Sequence, residues 1–311
     1  MFSLIIPVYK NEACLPDLLS ELVRLGQLFG GDLEAVFVVD GSPDNSYSKL
    51  QAALPELPVE SRLISLSRNF GAFAAITAGL QYGKGDYFGV LAADLQEPPE
   101  LMLEFQQVLA SDEADVVFGY RTERSDPWLS QWPSNIFWSL YRRFVIPEMP
   151  EGGVDVFGCT RQVRDRLLEL RESNTSLVAL LFWLGFRRRF VPYQRRTRQH
   201  GQSAWSFGKK LTYAINSIFN FTDLPIRVLL VAGVLGTTFA VLASIVVLTA
   251  RLLHKIEVSG YTPIMLLIAF FGGLTALGLG IVGQYLWLTL QNTRHRPNYL
   301  VSSEKHYPAK K

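Results

Sequence analysis

The stretch "VLAADLQEPPE", Val90 to Glu100, closes an apolar run on a carboxylate, Asp94, and sets an amide, Gln96, two positions on. Oxygen donors offered together at the end of a hydrophobic strand suit a hard cation such as Mg²⁺, which takes one or two carboxylates and keeps several waters. Two carboxylates would signal a metal directly. Here Ala92 stands at the first place and Gln96 at the last, so the protein supplies few ligands and other oxygens must complete the shell. The plainer alternative is that Asp94 caps a turn before "EPPE". A second carboxylate, Asp40 in "VVDGSPDNS", also ends an apolar run. Aspartate is common in such turns, and a turn carboxylate keeps spare lone pairs for another partner.

The elements that must hold these groups alternate. "FSLIIPVY", "LEAVFVVD", "RLISLS", "YFGVLAAD" and "ADVVFGY" read as strands, and Glu12–Leu28, Asn45–Leu54, Gly71–Tyr82 and Glu100–Leu109 as helices. Strand–helix alternation with short connections predicts an α/β, doubly wound, mostly parallel sheet, with ligands at the carboxyl ends of the strands. "IPVYKNE", "VVDGSPDNS" and "LAADLQEPP" all fall at such ends. Neither a G-x-G-x-x-G after the first strand nor a G-x-x-x-x-G-K-[ST] is present, which argues against a dinucleotide fold of the usual kind and a P-loop NTPase. The two cysteines, Cys14 and Cys159, fit a reducing compartment and no disulfide framework or zinc site.

The second half changes character. Val228–Ala250 and Ile264–Leu290 carry no charge, and each exceeds the roughly 20 residues that cross a bilayer. They predict two transmembrane helices. No acidic residue lies between Glu172 and Asp223, whereas Arg187, Arg188, Arg189, Arg195, Arg196, Arg198, Lys209 and Lys210 do. Such a run before a membrane helix is expected to meet anionic headgroups or a phosphorylated ligand. "DPWLSQWPSNIFWSLYRRF" reads as an amphipathic interfacial helix or as one packed on the sheet. The basic tail, against a hairpin loop holding only Arg251, His254, Lys255 and Glu257, puts both termini in the cytoplasm. The expected organisation is a cytoplasmic domain over 1–205, an amphipathic segment over 206–225 and a membrane helix over 226–250. A loop over 251–262, a second helix over 263–290 and a basic tail over 291–311 follow. Gly272, Ala276, Gly280 and Gln284 form a small-residue stripe that lets helices approach, within the chain or in a homo-oligomer.

"IIPVYKNE", "VVDGSPDNS", "SRNFGAFAAITAGLQYGKGDY" and "ADLQEPPE" resemble the successive motifs of family 2 glycosyltransferases of the GT-A fold. Within these they resemble the polyprenyl-phosphate glycosyltransferases, the bactoprenol glucosyl transferases and dolichol-phosphate mannose synthases, over about residues 3–205. The two-helix anchor is similar to the bactoprenol branch. The resemblance implies a nucleotide-sugar donor bound by Pro7, Tyr9, Glu12, Asp40, Asn69, Gly71, Ala93, Asp94 and Arg198. It implies Arg121 and Ser203 on the acceptor phosphate, Asp155 near the reaction centre, and Asp94 with Gln96 as ligands of Mg²⁺ or Mn²⁺. It also implies polyprenyl phosphate as acceptor and a homo-oligomer such as a tetramer. The family segment commonly reads Asp-x-Asp or Asp-x-Asp-x-Gln, so Ala92 removes one ligand and predicts weak metal binding until the donor's phosphates complete the site.

The expected activity is inverting transfer of a hexose, first glucose from UDP-glucose, to undecaprenyl phosphate at the cytoplasmic membrane face. GDP-mannose, UDP-GlcNAc or a UDP-aminoarabinose type of donor are alternatives that spacing does not separate. A processive polysaccharide synthase would show Q-x-x-R-W and more membrane helices, and neither is present. A non-enzymatic nucleotide-sugar-binding subunit leaves Asp94 and Gln96 without a purpose. Nothing points to nucleic acid.

Overall fold

A computed structural model describes residues 1–122, 139, 142–143, 146–150, 153–154, 156–170, 176–196, 218–219, 222, 224–253, 261–294 and 296–310. The chain divides into two compact units, Met1–Tyr213 with Arg296–Lys311, and Ala214–His295.

The first unit is built on an eight-stranded sheet. Its strands are β1 (Phe2–Val8), β2 (Leu33–Val39), β3 (Glu60–Leu66), β4 (Tyr87–Val90), β5 (Val116–Arg121), β6 (Val156–Thr160), β7 (Arg188–Tyr193) and β8 (Val301–Tyr307), in the order β7-β5-β6-β4-β1-β2-β3-β8. Its helices are α1 (Leu15–Leu28), α2 (Ser46–Ala53), α3 (Ala72–Tyr82), α4 (Leu101–Ala110), α5 (Arg161–Glu169) and α6 (Leu177–Trp183). Strands β1 and β2 are almost wholly apolar, Ser3 and Glu34 apart, because helices cover both of their faces, as buried parallel strands require. Phe2, Leu4, Ile6 and Val8 pack with Leu18 and Leu22 of α1 and Phe105 of α4. On the opposite face α3 comes so close that a Cβ at Gly79 would stand 2.2 Å from Ile5 Cγ2.

The doubly wound expectation holds, but the sheet is mixed. The pairs β1–β2, β1–β4, β2–β3 and β5–β7 are parallel, whereas β4–β6, β5–β6 and β3–β8 are antiparallel. β6 enters reversed between β4 and β5, so β5 and β7 again run with β4 and their carboxyl ends reach the same edge.

The C-terminal segment read as a basic tail contains β8. It pairs along β3 from Ser61↔Tyr307 to Leu66↔Val301. Beneath it Glu34, fully buried on β2, accepts from Arg62 Nε at 2.6 Å, Ser3 Oγ at 2.5 Å and the Lys84 amide at 2.8 Å. Arg62 Nη1 reaches out to Glu304 Oε1 on β8 at 3.3 Å. A buried carboxylate persists only when paired and hydrogen-bonded like this.

The second unit holds α7 (Leu224–Leu252) and α8 (Tyr261–Thr293). Among the described residues, one helical stretch, Phe270–Thr293, is long and apolar enough to cross a membrane. The apolar part recognised in α7, Leu224–Gly236, is shorter. Two spanning helices are therefore not both established. Leu230 of α7 is 65% exposed and Leu279 of α8 68% exposed, and Val228, Leu242, Ile268 and Leu286 are exposed too. Contact between the two helices runs through Gly236, beside Phe271, and Gly278, beside Leu229. Among the described residues, the stripe positions Gly272 and Gly280 have nothing within 4 Å of a built Cβ. The aromatic stretch before residue 145 and the amphipathic 206–225 segment lie almost wholly outside the described residues.

Candidate active site

The parallel strands β3, β2, β1 and β4 end together, and the loops that follow them carry most of the residues singled out by sequence. Asp40 directly follows β2, its amide donating to the Val8 carbonyl at 3.0 Å. The side chain is 2% exposed and works across the edge. Its Oδ1 accepts from the Phe70 amide at 2.7 Å and its Oδ2 from the Gly71 amide at 2.8 Å, while Asn69 Nδ2 reaches the Asp40 carbonyl at 3.3 Å. Gly71, at φ 100, caps α3, so Asp40 satisfies amides at a helix N-terminus, where a negative charge is favoured. Burial pushes the Asp40 carboxyl up, against the Phe70 and Gly71 amides and Arg68, which pull it down. The loops meet at Gly41, where a Cβ would lie 2.2 Å from the Arg68 backbone. Asp40 thus ties β2 to the start of α3, a role that the turn reading only half anticipated.

The loops after β1 and β2 interlock as well. Lys10 N donates to Ser42 Oγ at 2.8 Å, and Glu12 N to Asp44 Oδ2 at 3.1 Å. Glu12 returns its carboxylate to the Asn45 amide at 3.1 Å and to Lys49 Nζ at 3.0 Å. Lys49 and Asn45 hold the Glu12 carboxyl below the usual carboxylate range. Glu12 therefore fastens the start of α2. Pro7 lies in β1, half-buried, and Tyr9 is half-buried with Lys10 Nζ 5.5 Å from its ring centre.

Beyond β4, Ala93 is buried and Asp94 half-buried. Asp94 Oδ1 accepts from the Gln96 amide at 3.4 Å across Leu95, whose φ is 53°. Gln96 is held from the far side of the sheet edge. Arg195 Nη2 donates to Gln96 Oε1 at 2.5 Å, and the Arg196 amide to the Gln96 carbonyl at 2.8 Å. Arg196 Nη2 continues to Glu100 at 3.2 Å, and Glu100 also pairs with Arg24 at 2.5 Å. Among the described residues no cluster of three or more His, Cys, Asp or Glu is placed to hold a metal. Asp94 fits a hard cation whose other ligands are phosphate oxygens. The Gln96 oxygen fits one only with Arg195 moved aside.

Arg121 ends β5 in register with Tyr193 of β7. With Tyr120, Thr122, Glu148, Pro150 and Phe190 it lines a cavity of about 550 Å³. Behind that wall Phe190 stacks on Phe118 at 5.8 Å, and Phe118 on Phe182 at 4.6 Å. Asp155, Arg198 and Ser203 lie outside the described residues. Within the described part of the basic run, Arg187 pairs with Asp112 and Asp115, Arg188 with Glu148, Arg195 with Gln96, and Arg196 with Glu100. Sequence reasoning missed the roles of Arg195, Arg196 and Glu148, since their partners lie far away in the chain.

The sequence profile described as "Glycosyl transferase family 2" matches residues 3–170, the stretch that holds β1 to β6 and the carboxylates at their edge. The chain belongs to glycosyl transferase family 2. It is a glycosyltransferase. Relatives match it nearly end to end. An undecaprenyl-phosphate 4-deoxy-4-formamido-L-arabinose transferase of Shewanella sediminis is 31% identical, covering 96% of this chain and 91% of that protein. A bactoprenol glucosyl transferase of Shigella phage SfV is 29% identical, covering 97% and 98%. Among solved structures, glucosyl-3-phosphoglycerate synthase from Mycobacterium tuberculosis, in complex with Mn²⁺, UDP-glucose and phosphoglyceric acid, aligns with a TM-score of 0.51 at 17% identity. It covers 70% of this chain and 77% of that one. That likeness establishes a shared GT-A-like fold for this glycosyltransferase.

Proposed function

We propose that this glycosyltransferase moves a hexose, first glucose from UDP-glucose, to the phosphate of a polyprenyl phosphate such as undecaprenyl phosphate, at the cytoplasmic face of a membrane. The observation that carries the reading is the end-to-end match, long apolar helices included, with relatives named for bactoprenol and undecaprenyl phosphate. A lipid acceptor also gives the exposed apolar side chains of α7 and α8 a purpose.

The chemistry needs little from a protein base. A phosphate monoester has a second pKa near 6 and is mostly dianionic at neutral pH. One of its oxygens attacks the sugar C1, the C1–O bond to the donor breaks, and its electron pair leaves on the nucleoside diphosphate. A single in-line displacement inverts C1. Arg121, at the wall of its cavity, is assigned to the acceptor phosphate, with Ser203. Asp155 is assigned to orienting groups near C1 and Arg198 to the diphosphate. Pro7, Tyr9, Glu12, Asp40, Asn69, Gly71 and Ala93 form the donor-side wall. Mg²⁺ or Mn²⁺, when bound, neutralises charge on the leaving diphosphate. Asp94 would hold it, with Gln96 as the second oxygen.

The fold supports a topology with both ends on one side. β8 belongs to the same sheet as β1, so a chain that enters a membrane after the first unit must return before residue 301. Two crossings by α7 and α8 satisfy this. Lys209 and Lys210 are the residues assigned to anionic lipid, and the small-residue stripe of α8 to a neighbouring copy in a homo-oligomer.

The 31% identity to the formamidoarabinose transferase favours a second donor reading, a UDP-linked aminopentose, with the same acceptor. The test is to incubate the purified chain with Mg²⁺, a short-chain polyprenyl phosphate and a panel of radiolabelled nucleotide sugars. The expected result is label in the organic phase from one donor, dependent on the lipid. Label in a polymer, or none from any donor, would contradict the proposal.

A further inference from the structure

The contact between Gln96 and Arg195 joins a candidate metal ligand to a cation. The Gln96 amide oxygen cannot serve a guanidinium and a divalent ion well at once, because both are positive and both need the same lone pairs. The neutral amide takes only one of the five N–H groups that a guanidinium presents. Arg195 is exposed, and its side chain stands at the edge where β4 and β7 both end. Its neighbour Arg196 is fastened through its backbone to the Gln96 carbonyl and through its side chain to Glu100, which fixes the segment while leaving the Arg195 side chain to choose partners. A diphosphate offers that guanidinium a charged, forked acceptor, and such pairs are roughly twice as strong as neutral hydrogen bonds.

We propose that Arg195 is a positioning residue that occupies Gln96 while the donor site is empty and passes to the donor's diphosphate when the nucleotide binds, releasing the Gln96 oxygen to the divalent ion. The inference rests on the donor-site reading of Asp94 and Gln96 given above. It makes the order of events a property of the chain. Free metal meets a site whose second ligand is taken by a cation, and the nucleotide removes that obstacle. Metal and nucleotide then bind cooperatively, and by linkage each tightens the other by the same factor.

The experiment is titration calorimetry on the full-length chain in detergent, with Mn²⁺ alone, with UDP or GDP in chelator, and with both together. In Arg195→Ala, Mn²⁺ alone should bind about tenfold more tightly, and nucleoside diphosphate without metal about tenfold more weakly, as expected for one charge-assisted contact exchanged. The factor by which nucleotide tightens Mn²⁺ should fall accordingly. Arg195→Lys should keep part of the nucleotide affinity, since it keeps the charge and loses the fork. In Gln96→Ala the further change Arg195→Ala should no longer tighten Mn²⁺ to the same degree, a non-additivity that a merely structural arginine would not give. A melting temperature equal to that of the parent chain checks folding. If the parent binds nucleoside diphosphate and Arg195→Ala leaves both affinities and their coupling unchanged, the exchange is overturned and the donor site stands. If the parent binds neither UDP nor GDP, the donor-site reading falls and the exchange falls with it.

Discussion

Asp94 and Asp40 look alike in the sequence, each a carboxylate closing an apolar run, yet the structure gives them opposite circumstances. Asp40 is buried with both oxygens committed to backbone amides, whereas Asp94 is half-buried and accepts from the Gln96 amide of its own loop at 3.4 Å. Asp94→Ala should leave the chain folded and lower transfer at least about a hundredfold, the scale of losing charge stabilisation at a leaving group. Asp94→Asn should be nearly as damaging, since it keeps shape and loses charge. Full activity in Asp94→Ala would reduce the stretch to a capped turn. Acid response belongs to this scale too. Lys49 and then Asn45 hold Glu12 below its ordinary value of 4.5, and Arg187 holds Asp115 low. A folded pKa below the unfolded one gives stability that is present above the unfolded value and lost as pH falls through the folded one. Asp40, raised by burial against the Phe70 and Gly71 amides, works the other way, and its protonation offsets part of that loss. Thermal unfolding should be level from pH 7 to about 5 and fall steeply below about 4. A melting temperature that climbs on acidification would contradict these assignments. The two aspartates were legible as strand-end groups because position suffices for that. Their partners were not, since Phe70 and Arg195 come from other loops.

At the scale of elements, the parallel centre was readable and the additions were not. β1 to β5 and α1 to α4 fall where the apolar runs and helical periodicity put them, because strands buried on both faces are mostly apolar and carry a charge such as Glu34 only when it is paired. β6 is short, β7 opens on "RRF", and β8 is "VSSEKHY", which has no apolar run at all. β8 is an edge strand, recognisable only by what it pairs with. The buried Arg62–Glu34 pair links that edge to the core. Arg62→Ala leaves Glu34 buried without its cation and should destabilise the sheet by about 3 kcal/mol, whereas Glu304→Gln, on the exposed side, should cost under about 1 kcal/mol. Denaturant unfolding of the two variants measures the difference. Equal effects would mean that the buried pair carries no special weight.

For the whole molecule, the long helices set where the chemistry is expected to take place. A helix of the 24 residues Phe270–Thr293 spans ~36 Å at about 1.5 Å per residue, enough for the roughly 30 Å hydrocarbon core. The full chain should stay in the membrane fraction through high-salt and alkaline washes and leave it only with detergent. Release by salt alone would mean a surface-bound protein held by its arginines and lysines. A truncation at Thr222 should bind anionic vesicles at low salt and lose about 1 kcal/mol of that affinity per basic residue removed. Such a piece also lacks β8, so its folding must be checked first.

The claim on which the rest depends is that the phosphate of a lipid attacks the anomeric carbon of a nucleotide sugar in one displacement. Nuclear magnetic resonance of the purified lipid product reads this directly. Starting from an α-linked donor such as UDP-glucose, the product should be a glycosyl phosphodiester with a β-configured anomeric carbon. An α-configured product, or sugar joined to anything other than the lipid phosphate, would contradict it.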